Sequence, residues 1–384
     1  MESSARDSLG VRGGDVELAA LSIILARGPV SRTELAARLS LSQSTMTRAA
    51  KPLLDRGLVV ETSEPLEGPG RPSRPLVAAP GDRRFVGVKL TGDEAFAVLT
   101  DIVVSEIATA RRSLESHEPA VVVKAVTELV RELAGDSNVV AVGVSLGGSA
   151  VDGRTVDRAP FLGWRDVPLA DFLENNLQLP VIVDNDLSAL TAGEHWFGLG
   201  RGVSDFAVVT IGAGIGLGLV RDDQVVRIRD MGLGLAGHIP LDPAGPRCIA
   251  GHRGCSTAVL SIPSIEAQAS VALQRKLDFS EIITLAREGD TVCSDIVTAA
   301  ARGLGRLLAL VANLAMVEVV VLSGEGLALL DVAGSHMRQQ LAEDRDPDSH
   351  SLEIRIDDSG FPGWARGAAT VAIQSSLRNL IRPA

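Results

Sequence analysis

At 384 residues, 46% of them hydrophobic, the chain is long enough for two or three domains and too apolar for general disorder. A net charge of −11 argues against wholesale coating of nucleic acid, and three cysteines are too few for a disulfide scaffold, which points to a reducing cytoplasm. The opening MESSARDSLGVRGGD lacks the apolar run of a signal peptide, and the most apolar stretch, Leu304 to Leu322, is broken by Arg306, Asn313 and Glu318 and falls short of the roughly 20 apolar residues of a membrane span.

Residues 1–14 are polar and aperiodic and read as a flexible arm. Asp15 to Ala26 carries apolar residues at helical spacing, and Gly28-Pro29 stops it. Ser31-x-x-Glu34 is a capping-box signature opening a second helix through Leu39. After a short turn, Gln43 to Leu54 forms a third helix. Leu58 to Glu61 is strand-like, the Pro/Gly/Arg-rich EPLEGPGRPSRP reads as a hairpin, and Leu76 to Ala79 returns. From Phe85 onward strands and helices alternate, the mark of an α/β fold. FVGVKL, AFAVLTD and VSEIATARR are three consecutive strands; a helix at Ala120 to Leu133 and a strand at Val139 to Ser145 follow. A strand at Val181 to Asp184 leads into a helix through Phe197. A second strand set begins at Phe206 to Ile211, and the chain ends with helices at Asp295 to Met316 and Gly367 to Leu380 around a strand at Val319 to Leu322.

The charge is unevenly spread. Between Asp15 and Arg84 ten basic residues face eight acidic ones, so the rest of the chain carries the negative charge. A short helix, a tight turn and a polar helix are the parts of a helix-turn-helix, whose last helix enters the major groove. Ser42, Gln43, Ser44, Thr45, Thr47, Arg48 and Lys51 cluster at the start and outer face of that helix, where they can reach base edges and phosphates. Arg71 and Arg74 in the hairpin resemble a wing that places guanidinium groups on the backbone or in a minor groove. The expected partner is a double-stranded DNA operator.

Farther along, Thr210 to Gly218 alternates glycines after a strand, which lets backbone N–H groups approach a phosphate but also makes tight β-turns. VDNDLSALTAGEHWFG places Asn185 and Asp186 between a strand and a helix; RAPFLGWRDVPL precedes it, and GLAGHIPL and CIAGHRGC follow. These motifs, in this order, resemble the ROK family (repressors, open reading frames, kinases), over nearly the whole chain from Asp15 to Leu380. The resemblance implies an α/β fold in which an N-terminal winged helix-turn-helix (15–80) precedes a two-lobed, actin-like or ribonuclease-H-like body (81–384). Lobe 1 would span about 81–190 plus 366–384, and lobe 2 about 191–365. It also implies a ligand cleft between the lobes, a homodimer or homotetramer, and repression of carbohydrate genes, with no membrane contact.

The departures from the family are informative. Where the family's kinases end the first strand in Asp-x-Gly-Gly-Thr to grip nucleotide phosphates, this chain has Lys89-Leu90-Thr91-Gly92-Asp93, and the added carboxylate would repel them. Asp186 matches the kinase general base, which is idle without a held phosphoryl donor; neither ATP nor Mg²⁺ is expected, and no residue is assigned a catalytic role. The ligand-facing candidates are Gly147, Gly148, Asn185, Asp186 and His238. Two sugar-binding glutamates of the family are replaced by Leu235 and Thr257, so the effector is a sugar, a sugar phosphate or another metabolite, or is absent. Phe161 and Trp164 are placed at the cleft edge. The family's structural zinc pattern keeps His238, Cys248 and Cys255 but has Ala250 for the middle cysteine; His252, four residues after Cys248, is a candidate substitute. Cys293 reads as core. A regulator without a ligand, its body a dimerisation scaffold, and an active sugar kinase are the alternatives.

Overall fold

A computed structural model describes residues 13–62 and 74–382. The arm, but for its last two residues, and the hairpin residue Arg71 lie outside them. The N-terminal head consists of α1 (Gly13–Arg27), α2 (Arg32–Arg38), α3 (Gln43–Asp55), β1 (Val59–Glu61) and β2 (Leu76–Ala78). Ser31 caps α2, its hydroxyl accepting from the Glu34 N–H at 3.1 Å. The reciprocal half of the capping box is not made: the Glu34 carboxylate turns outward and accepts from Arg38 one turn on, at 3.1 Å. Ser42 caps α3 in the same way, accepting from Thr45 N–H. Leu21, Ile24, Leu35, Met46, Leu53 and Leu58 are fully buried between the three helices. β1 and β2 pair antiparallel, and Val30 exchanges both backbone hydrogen bonds with Leu76, adding a third short rung.

The body repeats one topology. Its first sheet, β3 (Arg83–Leu90), β4 (Glu94–Thr100), β5 (Glu106–Ser113), β6 (Asn138–Leu146) and β9 (Val181–Asn185), has the order β5-β4-β3-β6-β9. Its second, β10 (Phe206–Ile211), β11 (Ile215–Arg221), β12 (Gln224–Val225), β13 (Val319–Ser323) and β14 (Glu353–Asp357), has the order β12-β11-β10-β13-β14. In each, three antiparallel strands are extended by two parallel ones. A small hairpin, β7 (Val156–Ala159) with β8 (Trp164–Val167), closes over the first sheet's end.

Helices α4 (Pro119–Ala134) and α5 (Leu169–Leu177) share a core with one face of the first sheet. α12 (Phe361–Ile381) lies against β3 and β6 and packs along α6 (Asp186–Trp196). Its backbone sits so close that a Cβ at Gly87 would stand 2.0 Å from the Ala365 carbonyl and one at Gly143 2.0 Å from that of Ala368, so only glycine serves there. α12 starts six residues before the expected Gly367, because Pro362 in its first turn suits helix initiation. The second sheet is covered by α7 (Ser256–Leu260), α8 (Ile262–Ala272), α9 (Phe279–Arg287), α10 (Thr291–Ala315) and α11 (Leu329–Glu343). The apolar stretch from Leu304 is the buried half of α10 running into β13. Among the described residues no helix is long and apolar enough to cross a membrane.

Candidate functional site

Three places concentrate chemistry. On α3, Met46, Ala50 and Leu53 face the core, so the opposite side carries Ser42, Gln43, Ser44, Thr47, Arg48 and Lys51 to the surface, with Thr45 half-buried. Several hydroxyls are already engaged: Ser42 Oγ lies 2.9 Å from Ser44 Oγ and 2.8 Å from Thr45 Oγ1, and Thr47 donates to the Gln43 carbonyl at 2.8 Å. The side chains of Gln43, Arg48 and Lys51 have no partner among the described residues. The first turn of α3 holds no acidic residue, although its Thr45 N–H is already taken by the Ser42 cap. Arg74 is exposed, 3.8 Å from Glu61, which also pairs with Arg32 at 2.6 Å.

Between the two sheets lies a cavity of about 760 Å³. Gly147, Gly148, Asn185 and Asp186 line it; Phe161 does too, whereas Trp164 is buried in the first lobe and donates its indole N–H to the His117 carbonyl at 2.5 Å. Lys89, at the end of β3, reaches across and ion-pairs with Asp186 Oδ2, its ammonium 4.9 Å from the centre of the Trp364 ring. Asp186 is the first residue of α6, and the cap is Asn185, whose Oδ1 accepts from Ser188 N–H at 3.0 Å. The glycine run is the β10–β11 hairpin. A Cβ on Gly218 would stand 2.0 Å from Thr191 Oγ1, and the space a Cβ on Gly212 would need is taken by the Glu325 carboxylate, 2.5 Å away. Glu325, which sequence reasoning did not single out, thus places a negative charge at the turn where the glycines could have held a phosphate.

His238 is not among the cavity-lining residues. Its Nδ1 lies 3.9 Å from Cys248 Sγ and 3.7 Å from Cys255 Sγ, and His252 Nδ1 is 3.6 Å from Cys248 Sγ. The ligand atoms of His238, Cys248, His252 and Cys255 all fall within 4.8 Å of one another. For a tetrahedral zinc with Zn–S of about 2.3 Å and Zn–N of about 2.0 Å, neighbouring ligand atoms should be roughly 3.5–3.8 Å apart, so the donor set fits that ion. The loop is closed by Cys248 N–H donating to the His252 carbonyl at 2.9 Å, which carries His252 back over the cluster as Ala250 cannot. Burial raises the Cys255 thiol above its ordinary value; at Cys248 burial acts the same way but is outweighed by N–H donors from His252, Ala250 and Gly251 and by the Cys255 thiol.

The head is tied to both lobes. Arg27, at the end of α1, donates to both oxygens of Asp223 (2.5 and 2.6 Å) and to Ser204 (3.1 Å), and His195 Nε2 lies 3.6 Å from Asp223. Arg201 donates to the last carbonyls of α1, Leu25 at 3.0 Å and Ala26 at 3.3 Å. On the other side Arg56, beyond α3, donates to the carbonyl of Ile381 at the end of α12, while Arg83 donates to the Arg56 carbonyl at 3.3 Å. Asp222 and Asp223 both have positive φ, which forms the tight β11–β12 turn that presents Asp223.

A model of the ROK family matches residues 85–374, three quarters of the chain. The chain belongs to the ROK family. A second family model, MarR, matches residues 15–65, which contain α2, α3 and all of α1 but its first two residues. Over 373 residues the chain is 25% identical to the DNA-binding transcriptional repressor Mlc of Escherichia coli, covering 92% of this chain and 91% of the relative. The crystal structure of a ROK family transcriptional regulator, a homolog of the E. coli MLC protein, superposes with a TM-score of 0.80 at 23% identity, covering 96% of this chain and 97% of that one. A ROK family glucokinase from Streptomyces griseus, in complex with glucose and AMPPNP, matches at 28% identity and a TM-score of 0.63, covering 75% of this chain and 99% of the kinase.

Proposed function

We propose that this chain is a cytoplasmic DNA-binding transcriptional regulator, a repressor of carbohydrate-related genes that acts as a homodimer or homotetramer and senses an effector in its cleft. The observation that carries this is the contrast between the two ends of the molecule. The head offers a polar and basic helix face on which Gln43, Arg48 and Lys51 have no partner among the described residues, while in the body the residue in the position of the general base is held in an ion pair by Lys89. The full-length likeness to a DNA-binding repressor supports the same reading.

In this reading residues 1–14 are an arm, 15–80 the head, and 81–384 the body, with lobe 1 at 81–190 plus 366–384 and lobe 2 at 191–365. Ser42, Gln43, Ser44, Thr45, Thr47, Arg48, Lys51, Arg71 and Arg74 meet DNA. Gly147, Gly148, Asn185 and Asp186 face the effector, and His238 joins Cys248, His252 and Cys255 in holding zinc. A structural zinc would cross-link the loop after β12 to the start of α7. Because Arg27 and Arg201 tie α1 to the second lobe and Arg56 ties α3 to the first, any rotation of one lobe against the other pulls on the head. Effector binding then changes operator affinity to the extent that it favours one lobe arrangement.

Genomic footprinting of the purified protein, followed by gel shifts on the recovered fragments, tests the proposal. Discrete duplex sites bound at physiological salt are expected. Release of ADP above background from ATP and any of a panel of sugars, or failure to retain any fragment at low salt, would contradict it.

A further inference from the structure

The cavity is built for something other than an anionic ligand. Its two most sugar-like polar groups are already committed. Asn185 Nδ2 donates to the Gly148 carbonyl at 2.8 Å while its Oδ1 caps α6. Asp186 Oδ1 accepts from Leu187 N–H at 2.8 Å and from Asn185 at 3.2 Å, and its Oδ2 holds Lys89. A polyol entering here would find these two residues engaged and would have to turn to Asp93, Asp230 and Glu325 for free acceptors.

The charge is equally selective. The lining contains one cation, Lys89, and four carboxylates, Asp93, Asp186, Asp230 and Glu325. Lys89 is neutralised by Asp186, and none of the other three forms an ion pair among the described residues. An incoming phosphate would therefore meet unscreened like charge and no free cation.

What the cavity does offer is apolar surface. The whole chain has only eight Phe and three Trp, yet Phe161, Phe361 and Trp364 all line this one cavity. Phe161, Ile228 and Leu235 are 58%, 49% and 59% exposed, three large apolar side chains open to solvent around one opening. A volume of about 760 Å³ lies within the roughly 300–1,000 Å³ usual for sites that enclose drug-sized molecules.

We infer that the cleft takes an uncharged ligand with an apolar body, such as an alkyl- or aryl-substituted sugar, and discriminates against sugar phosphates and nucleotides. The inference rests on the effector-sensing reading above. The test is calorimetric titration of the full chain with phenyl and hexyl glycosides of glucose, galactose, mannose and xylose, the free sugars, glucose 6-phosphate and ATP. At least one substituted glycoside should bind about tenfold or more tightly than its free sugar, the gain expected from burying a phenyl or hexyl group. Glucose 6-phosphate and ATP should give no heat of binding. Leu235→Glu and Phe161→Ala, both at exposed positions, should each lose most of that preference while keeping the wild-type melting temperature and DNA binding. Binding of glucose 6-phosphate or a free sugar as tight as that of its substituted glycoside, or silence from every glycoside in the panel, would overturn the inference. If the unliganded protein still footprints on genomic DNA in that event, the regulator reading stands and only the ligand class fails.

Discussion

At the floor of the cleft the Lys89 side chain is buried and that of Asp186 half-buried, and Asp186 is also held by Leu187 N–H and Asn185. Lys89→Met should destabilise the protein by about 1.5 kcal/mol in urea unfolding, since it leaves a half-buried carboxylate without its cation, whereas Lys89→Met with Asp186→Leu should recover most of that loss. A loss of under about 0.5 kcal/mol for the single change would mean that the pair is not formed in solution. The cluster of His238, Cys248, His252 and Cys255 makes a second residue-scale case. Purified protein should carry about one zinc per chain, and His252→Ala should lower both zinc content and melting temperature, with a chelator lowering the latter in wild type but not in the variant. Zinc retained at wild-type level in His252→Ala would remove that residue from the set. Both sites were partly legible beforehand: Lys89 stood out against the family motif, and the His/Cys spacing suggested His252. That Lys89 would be answered by Asp186 was not, because 97 residues separate them and only the parallel register of β3, β6 and β9 brings the two strand ends together.

Among the elements, α6 joins the cleft to the head: it starts at Asp186 in the cleft and carries His195 near its end, which faces the Arg27–Asp223 pair that ties the head to the second lobe. Its inner face holds Glu194, whose carboxylate accepts from Leu199 N–H at 2.6 Å. Burial, opposed by that N–H and reinforced by the charge of Asp357, raises the Glu194 carboxyl to about 7 from an ordinary 4.5. The folded state therefore holds a proton that the unfolded chain has lost, and stability falls as pH rises through this window. Glu194→Gln should be about 2 kcal/mol more stable than wild type at pH 8 and indistinguishable from it near pH 4.5, by denaturant titration at both pH values. The opposite end of the coupling can be read by amide exchange. Arg201→Ala deletes the donor to the last carbonyls of α1, and exchange at the final turn of that helix should quicken by roughly fivefold, the worth of one net hydrogen bond. Unchanged exchange would mean that Arg201 does not restrain the head. The sequence showed the head and the first sheet well, since strand and helix periodicities are local, but it left α5, α7, α8, α9, α11 and β14 unassigned. It was silent on Arg27, Arg201, Asp223 and His195, whose contacts span up to 196 residues and leave no periodic trace.

On the scale of the whole molecule, the slightly basic head is not a bead on a string. Leu21, Leu53 and Leu58 share one apolar cluster with Phe85, Ile102, Ile373 and Leu377 of the body, so head and body should unfold in a single transition. The charge asymmetry and the order of motifs along the chain pointed to this two-part architecture from the outset; the continuity of the core did not, because it is made by α12 returning from the far end of the sequence. In the proposed reading, function divides between a surface that attracts phosphate and a cleft that rejects it. The most direct measurement of that division is the salt dependence of duplex binding by wild type, Arg48→Ala, Lys51→Ala and Asp186→Ala in the absence of effector. If α3 lies on DNA, each of the first two changes weakens binding and lowers the slope of log affinity against log salt by about one, while Asp186→Ala leaves both nearly unchanged. Wild-type slopes for Arg48→Ala and Lys51→Ala, or an equal loss from all three substitutions, would contradict it.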